Sequence, residues 1–172
     1  VLRALGLVAL FLCKPSLAIT DQQIEDLIKQ MTPEEKAGQL NIIAGTQNAT
    51  DVIPGLPSPE KHMAMIKAGQ VAGFFNINNS DYIRQLQRIA VEESRLKIPI
   101  IIGADVIHGY RTTTPLPLAE AASWDLDLIR RSARMAAEEA AASGVNWTFA
   151  PMVDISRNPR WGRIIEGAGE DP

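Results

Sequence analysis

The chain has 172 residues, about one domain's worth of polypeptide. Hydrophobic residues make up 46% of it, enough to build a buried core and to exclude a disordered polymer. A formal charge of −3 gives no electrostatic reason for nucleic-acid binding.

The first residues are Val1-Leu2-Arg3, without an initiating Met, followed by an apolar stretch over 4–12 and then Ser16-Leu17-Ala18. One basic residue, a short apolar run and a small-x-small end predict a secretory signal peptide over 1–18, cleaved after Ala18. The missing Met implies a truncated start. The apolar run is too short to span a bilayer, so no membrane association is expected after cleavage. A buried amphipathic helix is the alternative, but the run has no polar face. Cys13, the only cysteine, lies inside this segment, and Leu12 before it is unlike the small residue of a lipoprotein site. The mature chain, with net charge −5, is therefore expected to hold no disulfide and no thiolate metal site.

Thr20-Asp-Gln-Gln23 has the form of a capping box, and Ile24, Leu27, Ile28 and Met31 follow at helical spacing. Thr32-Pro33-Glu34-Glu35 starts a second helix, with Ala37 and Leu40 expected to face inward. A short strand over 41–44 is followed by a proline-rich loop over 45–60 and a short helix over 63–67. Residues 70–77 read as a strand. A helix capped by Ser80 or Asp81 then presents Ile83, Leu86, Ile89 and Ala90 on one face. The next strand covers 98–104. Asp125 caps a long helix over 126–143 that Gly144 ends, and its alanine face (Ala133, Ala136, Ala137, Ala140) is expected to lie close to a sheet. The last strand covers 145–152. Alternation of strand and helix at this spacing predicts a parallel α/β sheet of three or four βα units. A closed barrel needs about 250 residues, so the fold class read here is α/β, the N-terminal half of a (β/α)8 TIM-type barrel. A small complete three-layer α/β domain is the alternative.

Two apolar runs end in polar residues, which is where parallel α/β folds bind ligands. Asp105 closes the first, followed by His108. A carboxylate there suits a pair of vicinal hydroxyls, and it equally suits the cap of a turn. His108 could hold the loop, orient Asp105 or act as a base. Beyond the second run stand Asp154, Arg157, Arg160, Trp161, Arg163 and Glu166. Arginine forks recognise carboxylates, phosphates or sugar hydroxyls. Trp161 offers a flat apolar face to a sugar ring, or packs beneath the loop. At least two ion pairs are expected among these charges. No phosphate-loop, dinucleotide or zinc signature is present.

The segments Met31-Thr-Pro-Glu-Glu-Lys-Ala-Gly-Gln-Leu40, Gly103-Ala-Asp-Val-Ile-His-Gly-Tyr-Arg-Thr112 and Ala150-Pro-Met-Val-Asp-Ile-Ser-Arg-Asn-Pro-Arg-Trp-Gly-Arg163, with Glu166-Gly-Ala-Gly-Glu-Asp171, resemble the N-terminal domain of glycoside hydrolase family 3, secreted bacterial β-glucosidase type. The resemblance covers essentially everything after residue 18, making 19–172 a partial barrel domain. It implies hydrolysis of terminal non-reducing β-D-glucosyl residues by a retaining mechanism, in the periplasm, without a metal or organic cofactor. It implies that Asp105 and Arg163 bind the terminal sugar, with His108, Asp154, Arg160, Trp161 and Glu166 supporting them. The family's nucleophilic Asp and acid/base Glu match no position here and are expected downstream, so the 172-residue piece alone is expected to be inactive and poorly stable. The implied partners are β-linked glucosides or oligosaccharides, with a homodimer open to the full-length protein. A β-xylosidase of the same family is the nearest alternative, although Asp rather than Glu at 105 sides with the glucosidases. A non-catalytic secreted carbohydrate-binding module is the alternative from another class.

Overall fold

The computed structural model describes residues 19–171. The predicted signal peptide and Cys13 therefore lie outside the described residues. The chain divides after Gln30 into two units. In the first, helix α1 (Asp21–Gln30) begins with the predicted capping box. The Thr20 amide donates to Gln23 Oε1 at 2.8 Å, and the Gln23 amide donates to Thr20 Oγ1 at 3.3 Å.

The second unit opens with α2 (Pro33–Gly38), whose capping box between Thr32 and Glu35 also forms as predicted. Its inward face differs from the expectation. Glu35 and Gly38 are buried, whereas Ala37 is exposed and Leu40 is 89% exposed. Close backbone approach decides this register. A Cβ on Gly38 would stand 1.9 Å from the Gly69 carbonyl oxygen, so only glycine lets the two segments meet. Glu35 turns inward because Arg95 meets it through a two-pronged ion pair, Nε to Oε1 at 2.9 Å and Nη2 to Oε2. The hydrogen bond from Arg95 is the main reason the Glu35 pKa is lowered.

Four strands follow: β1 (Ile42–Ala44), β2 (Gly73–Phe75), β3 (Ile101–Ala104) and β4 (Trp147–Thr148). All pairs are parallel, and their spatial order is their chain order. The row Ile43–Phe74–Ile102 faces the main core. The neighbouring row Ala44–Phe75–Gly103–Trp147 faces the other way. On that second face Phe149 packs edge-on against Phe75 and Trp147, with ring centroids 6.5 and 5.0 Å apart. The observed strands are shorter than predicted, because each apolar run enters and leaves the sheet through non-pairing residues. At β4 only two residues pair, with β3 alone.

The crossover helices are α3 (Pro59–Lys67), α4 (Ser80–Glu93) and α6 (Leu126–Ala142), with a short α5 (Pro117–Ala121) that the sequence reading missed. Helix α3 starts four residues earlier than expected, capped by Ser58 with Pro59 at its first turn. Helix α4 is capped by Asn79, not by Ser80 or Asp81, through Oδ1 accepting from the Asp81 and Tyr82 amides. Asp125 caps α6 as predicted, and Gly144 takes a φ of +93° just beyond it. Ile66 of α3, Ile83, Leu86 and Ile89 of α4, and Ala136 and Ala140 of α6 join Phe74 and Ile102 in one core. Thus α3, α4 and α6 cover the same face of the sheet. Among the described residues of the second unit the strand order does not reverse and α3, α4 and α6 share one face, unlike the three-layer alternative, with helices on both faces. Sequential parallel strands with helices on one side are an arc of a TIM-type barrel, as predicted. The alanine face of α6 packs only in part. Ala136 and Ala140 are buried, while Ala133 and Ala137 are exposed and line a cavity of about 360 Å³ shared with α5 and the end of β4. Among the described residues no helix is long and apolar enough to cross a membrane.

Candidate functional site

The site lies where the strands end. Along β3, Ile102 and Ala104 are buried toward the helices, and Ile101 and Gly103 lie on the opposite face. Continuing this alternation puts the exposed Asp105 on the face that carries Phe75 and Phe149, at the carboxyl edge of the sheet. The next residue, Val106, returns to the core at 9% exposure and anchors the chain there.

The loop after Asp105 closes on itself. The Thr114 amide donates to the His108 carbonyl at 2.9 Å, and Gly109 bridges to Thr113. Gly109 takes a φ of +92°, and a Cβ there would stand 2.0 Å from the Thr112 carbonyl oxygen. His108 is half-buried inside this loop, and its Nδ1 is enclosed without a hydrogen-bond partner among the described residues. The tip is fastened to α6 by the Glu139 carboxylate. Oε2 accepts from the Arg111 and Thr112 amides, both at 2.8 Å, and Oε1 accepts from Thr112 Oγ1 at 2.6 Å. These bonds, led by that of the Thr112 hydroxyl, lower the Glu139 pKa. Sequence reasoning missed Glu139. It stands 27 residues from Thr112, and nothing in helix periodicity marks it.

The arginine loop follows β4 and ends in a 3-10 turn, Ile164–Glu166. Arg163 grips Glu166 with both prongs, Nε to Oε1 at 3.0 Å and Nη2 to Oε2 at 2.6 Å. That hydrogen bonding raises the Arg163 pKa first, and the charges of Asp105 and Asp154 add to it. The same contact lowers the Glu166 pKa. Asp105, Asp154, Arg163 and Glu166 therefore share one electrostatic neighbourhood although Asp105 and Arg163 are far apart in sequence. Of the two or more ion pairs expected in this loop, Arg163–Glu166 is the one that forms among the described residues. Arg160 instead turns onto Asn158, donating from its amide at 3.0 Å and from Nε at 3.2 Å to Oδ1. An Asx-type turn satisfies it locally without needing a carboxylate. Trp161 is 37% exposed, held by its amide on the Asn158 carbonyl at 3.0 Å.

A second feature that the sequence did not reveal is an amide network at the ends of β1 and β2. The Asn78 amide donates to Gln47 Oε1 at 3.0 Å, Gln47 Nε2 donates to the Asn76 carbonyl, and Asn79 Nδ2 donates to Asn48 Oδ1 at 2.7 Å. Beneath it lies a buried polar cluster in which His62 Nδ1 meets Tyr82 Oη at 3.0 Å. Among the described residues no group of three or more His, Cys, Asp or Glu side chains converges as a metal site.

The glycosyl hydrolase family 3 N-terminal domain profile matches residues 32–172. The chain is 47% identical over 152 residues to the periplasmic beta-glucosidase of Salmonella typhimurium, covering 88% of this chain and 19% of that protein. It is 30% identical over 173 residues to the periplasmic beta-glucosidase/beta-xylosidase of Dickeya chrysanthemi, covering 88% and 26% respectively. The structure of a beta-glucosidase from Listeria innocua in complex with glucose superposes with a TM-score of 0.74 at 30% identity, over 89% of this chain and 22% of that one. The chain thus spans about a fifth to a quarter of the length of these relatives. On the profile match, the ordered parallel arc and the shared sequence, this chain belongs to the glycosyl hydrolase family 3 N-terminal domain family.

Proposed function

We propose that this chain supplies the sugar-binding edge of a secreted, periplasmic β-glucosidase that removes terminal β-D-glucosyl residues from glucosides or oligosaccharides. One observation carries the reading. Asp105 stands exposed at the carboxyl edge of β3, its carboxylate without a hydrogen-bond partner among the described residues, in the same electrostatic neighbourhood as a guanidinium already gripped by Glu166. Asp105 accepts hydrogen bonds from adjacent sugar hydroxyls, and Arg163 donates to a neighbouring one. Glu166 keeps the guanidinium aimed through its two hydrogen bonds, and Asp154 adds a negative charge nearby. Trp161 presents a ring face to the sugar, and Arg160 shapes the loop through Asn158. His108 fills the loop behind Asp105. Residues 1–18 act as the signal peptide, and 19–172 form the first part of the barrel domain.

A retaining mechanism needs a nucleophilic carboxylate and an acid/base carboxyl about 5–5.5 Å apart. Glu166 is a poor acid/base, because two hydrogen bonds from Arg163 hold it in its charged form. In this reading both catalytic carboxyls come from outside residues 1–172, and this piece contributes binding and orientation. The test is Asp105→Ala in the full-length enzyme, assayed on an aryl β-glucoside. Loss of two hydrogen bonds to a charged acceptor lowers kcat/KM by about a hundredfold or more. Unchanged hydrolysis overturns the reading. The double name of the Dickeya chrysanthemi relative favours β-xylosidase activity as the second reading, and an aryl β-xyloside assayed in parallel separates the two.

A further inference from the structure

We propose that Glu139, on the far side of the loop from the sugar, is a positioning residue for the Asp105 edge. The inference rests on the reading of Asp105 as a sugar ligand. The chain leaving Asp105 is restrained at three places: Val106 sits in the core, Tyr110 packs against that core, and the Glu139 carboxylate holds the tip of the loop. The donors at that tip are two consecutive main-chain N–H groups and one hydroxyl, all within 2.8 Å of the carboxylate. Consecutive amides converging on one oxygen form a small anion cradle, here filled by a side chain from another element. The Arg111 guanidinium adds a contact from Nε to Ser143 Oγ at 3.5 Å, so the tip docks on the last turns of α6 at two points.

Among the described residues the loop's own main-chain closure is the bridge from Gly109 to Thr113, of which the bond from the Thr114 amide to the His108 carbonyl is a part. That closure sets the loop's shape but not its direction relative to the sheet. Tyr110 and Glu139 set the direction together, Tyr110 by packing on the core and Glu139 by tying the tip to α6, which packs on the same core as β3 through Ala136 and Ala140. Released from α6, the tip at Arg111 and Thr112 would move more freely between Tyr110, which packs on the core, and Pro115, and the looser loop would let the Asp105 carboxylate sample orientations unsuited to a sugar. The energy of ordering it would then be drawn from substrate binding. Glu139 touches no substrate in this arrangement, so its effect falls on KM more than on kcat.

The test uses the full-length enzyme with Glu139→Ala and Glu139→Gln. In Glu139→Ala, KM for an aryl β-glucoside rises about tenfold with kcat within about threefold of wild type, and amide exchange at Arg111 and Thr112 accelerates. In Glu139→Gln the side-chain carbonyl still accepts from the two amides and the NH2 group donates to the Thr112 hydroxyl, so KM and exchange return toward wild type. Unchanged KM in Glu139→Ala, or accelerated exchange without a KM effect, overturns the inference while leaving Asp105 as a sugar ligand. A wild-type enzyme that hydrolyses no glucoside, or an Asp105→Ala variant as active as wild type, overturns the functional reading and the inference with it. If Glu139→Ala fails to fold, the Glu139→Gln and Thr112→Val pair decides. Glu139→Gln near wild type with a raised KM in Thr112→Val supports the latch, and wild-type KM in Thr112→Val overturns it.

Discussion

The two ends of the second unit are held together differently. Between β1 and β3 the structure is an apolar core: Phe74, Ile77, Leu86 and Ile102 are fully enclosed, and α3 and α4 close over them. From β4 to Asp171 the chain is mostly exposed, with Val153 at 83% and Ile165 at 51%, and it is shaped by turns and one two-pronged ion pair. Burial makes the first region a scaffold whose changes register as stability. In the second, directional polar contacts set the aim of a few side chains, so under the proposed function changes there register as binding. Between the two lies the Asp105 loop, anchored in the core at one end and latched by Glu139 at its tip.

The sharpest probe of this contrast is Phe74→Ala. It should cost about 3–5 kcal/mol by removing a fully enclosed ring from a packed core, read by urea unfolding. A loss no larger than that of a surface substitution would mean the core is not where the stability lies. Next is acid. Burial lowers the His62 pKa from 6.5, so the folded chain keeps this imidazole neutral where the unfolded chain protonates it. Its contribution is intact above the unfolded value of 6.5 and declines as pH falls toward the lowered folded value. Unfolding free energy compared at about pH 7.5 and about pH 5.5 should show a fall in wild type that is smaller in His62→Gln. Equal slopes would remove His62 as the cause. The smallest effect on stability should come from Glu166→Gln. Arg163 is more than half exposed, so solvent screens the pair and the unfolding midpoint should move little. In the full-length enzyme KM for an aryl β-glucoside should nonetheless rise several-fold, as Arg163 loses its grip. A large shift of the midpoint with unchanged KM would reverse the assignment of the two regions.

Local signals were legible in the sequence. The caps at Thr20, Thr32 and Asp125 and the stop at Gly144 formed as expected, because each depends on neighbours within a few residues. The α4 cap moved by one or two residues to Asn79, since Asn, Ser and Asp in succession all suit the position and the neighbouring loop chose among them. Asn79 wins because its amide also reaches Asn48, 31 residues earlier. Leu40 was misplaced for a related reason. Periodicity alone assigns an apolar residue inward, but a helix of six residues takes its register from whatever it touches, and α2 touches Gly69 and Arg95.

By itself the sequence determined the alternation of elements, the parallel sheet and the segments in which Asp105 and Arg163 lie. Those features follow from hydrophobic period, from turn chemistry and from family motifs, all of which are written along the chain. The tertiary structure alone decided which charges meet. Glu35 pairs with Arg95 across 60 residues, Glu139 holds the backbone of Arg111 across 28, and Arg163 falls within the field of Asp105. A carboxylate accepts from any donor of suitable geometry, so its partner is set by how helices pack on the sheet and not by its place in the sequence.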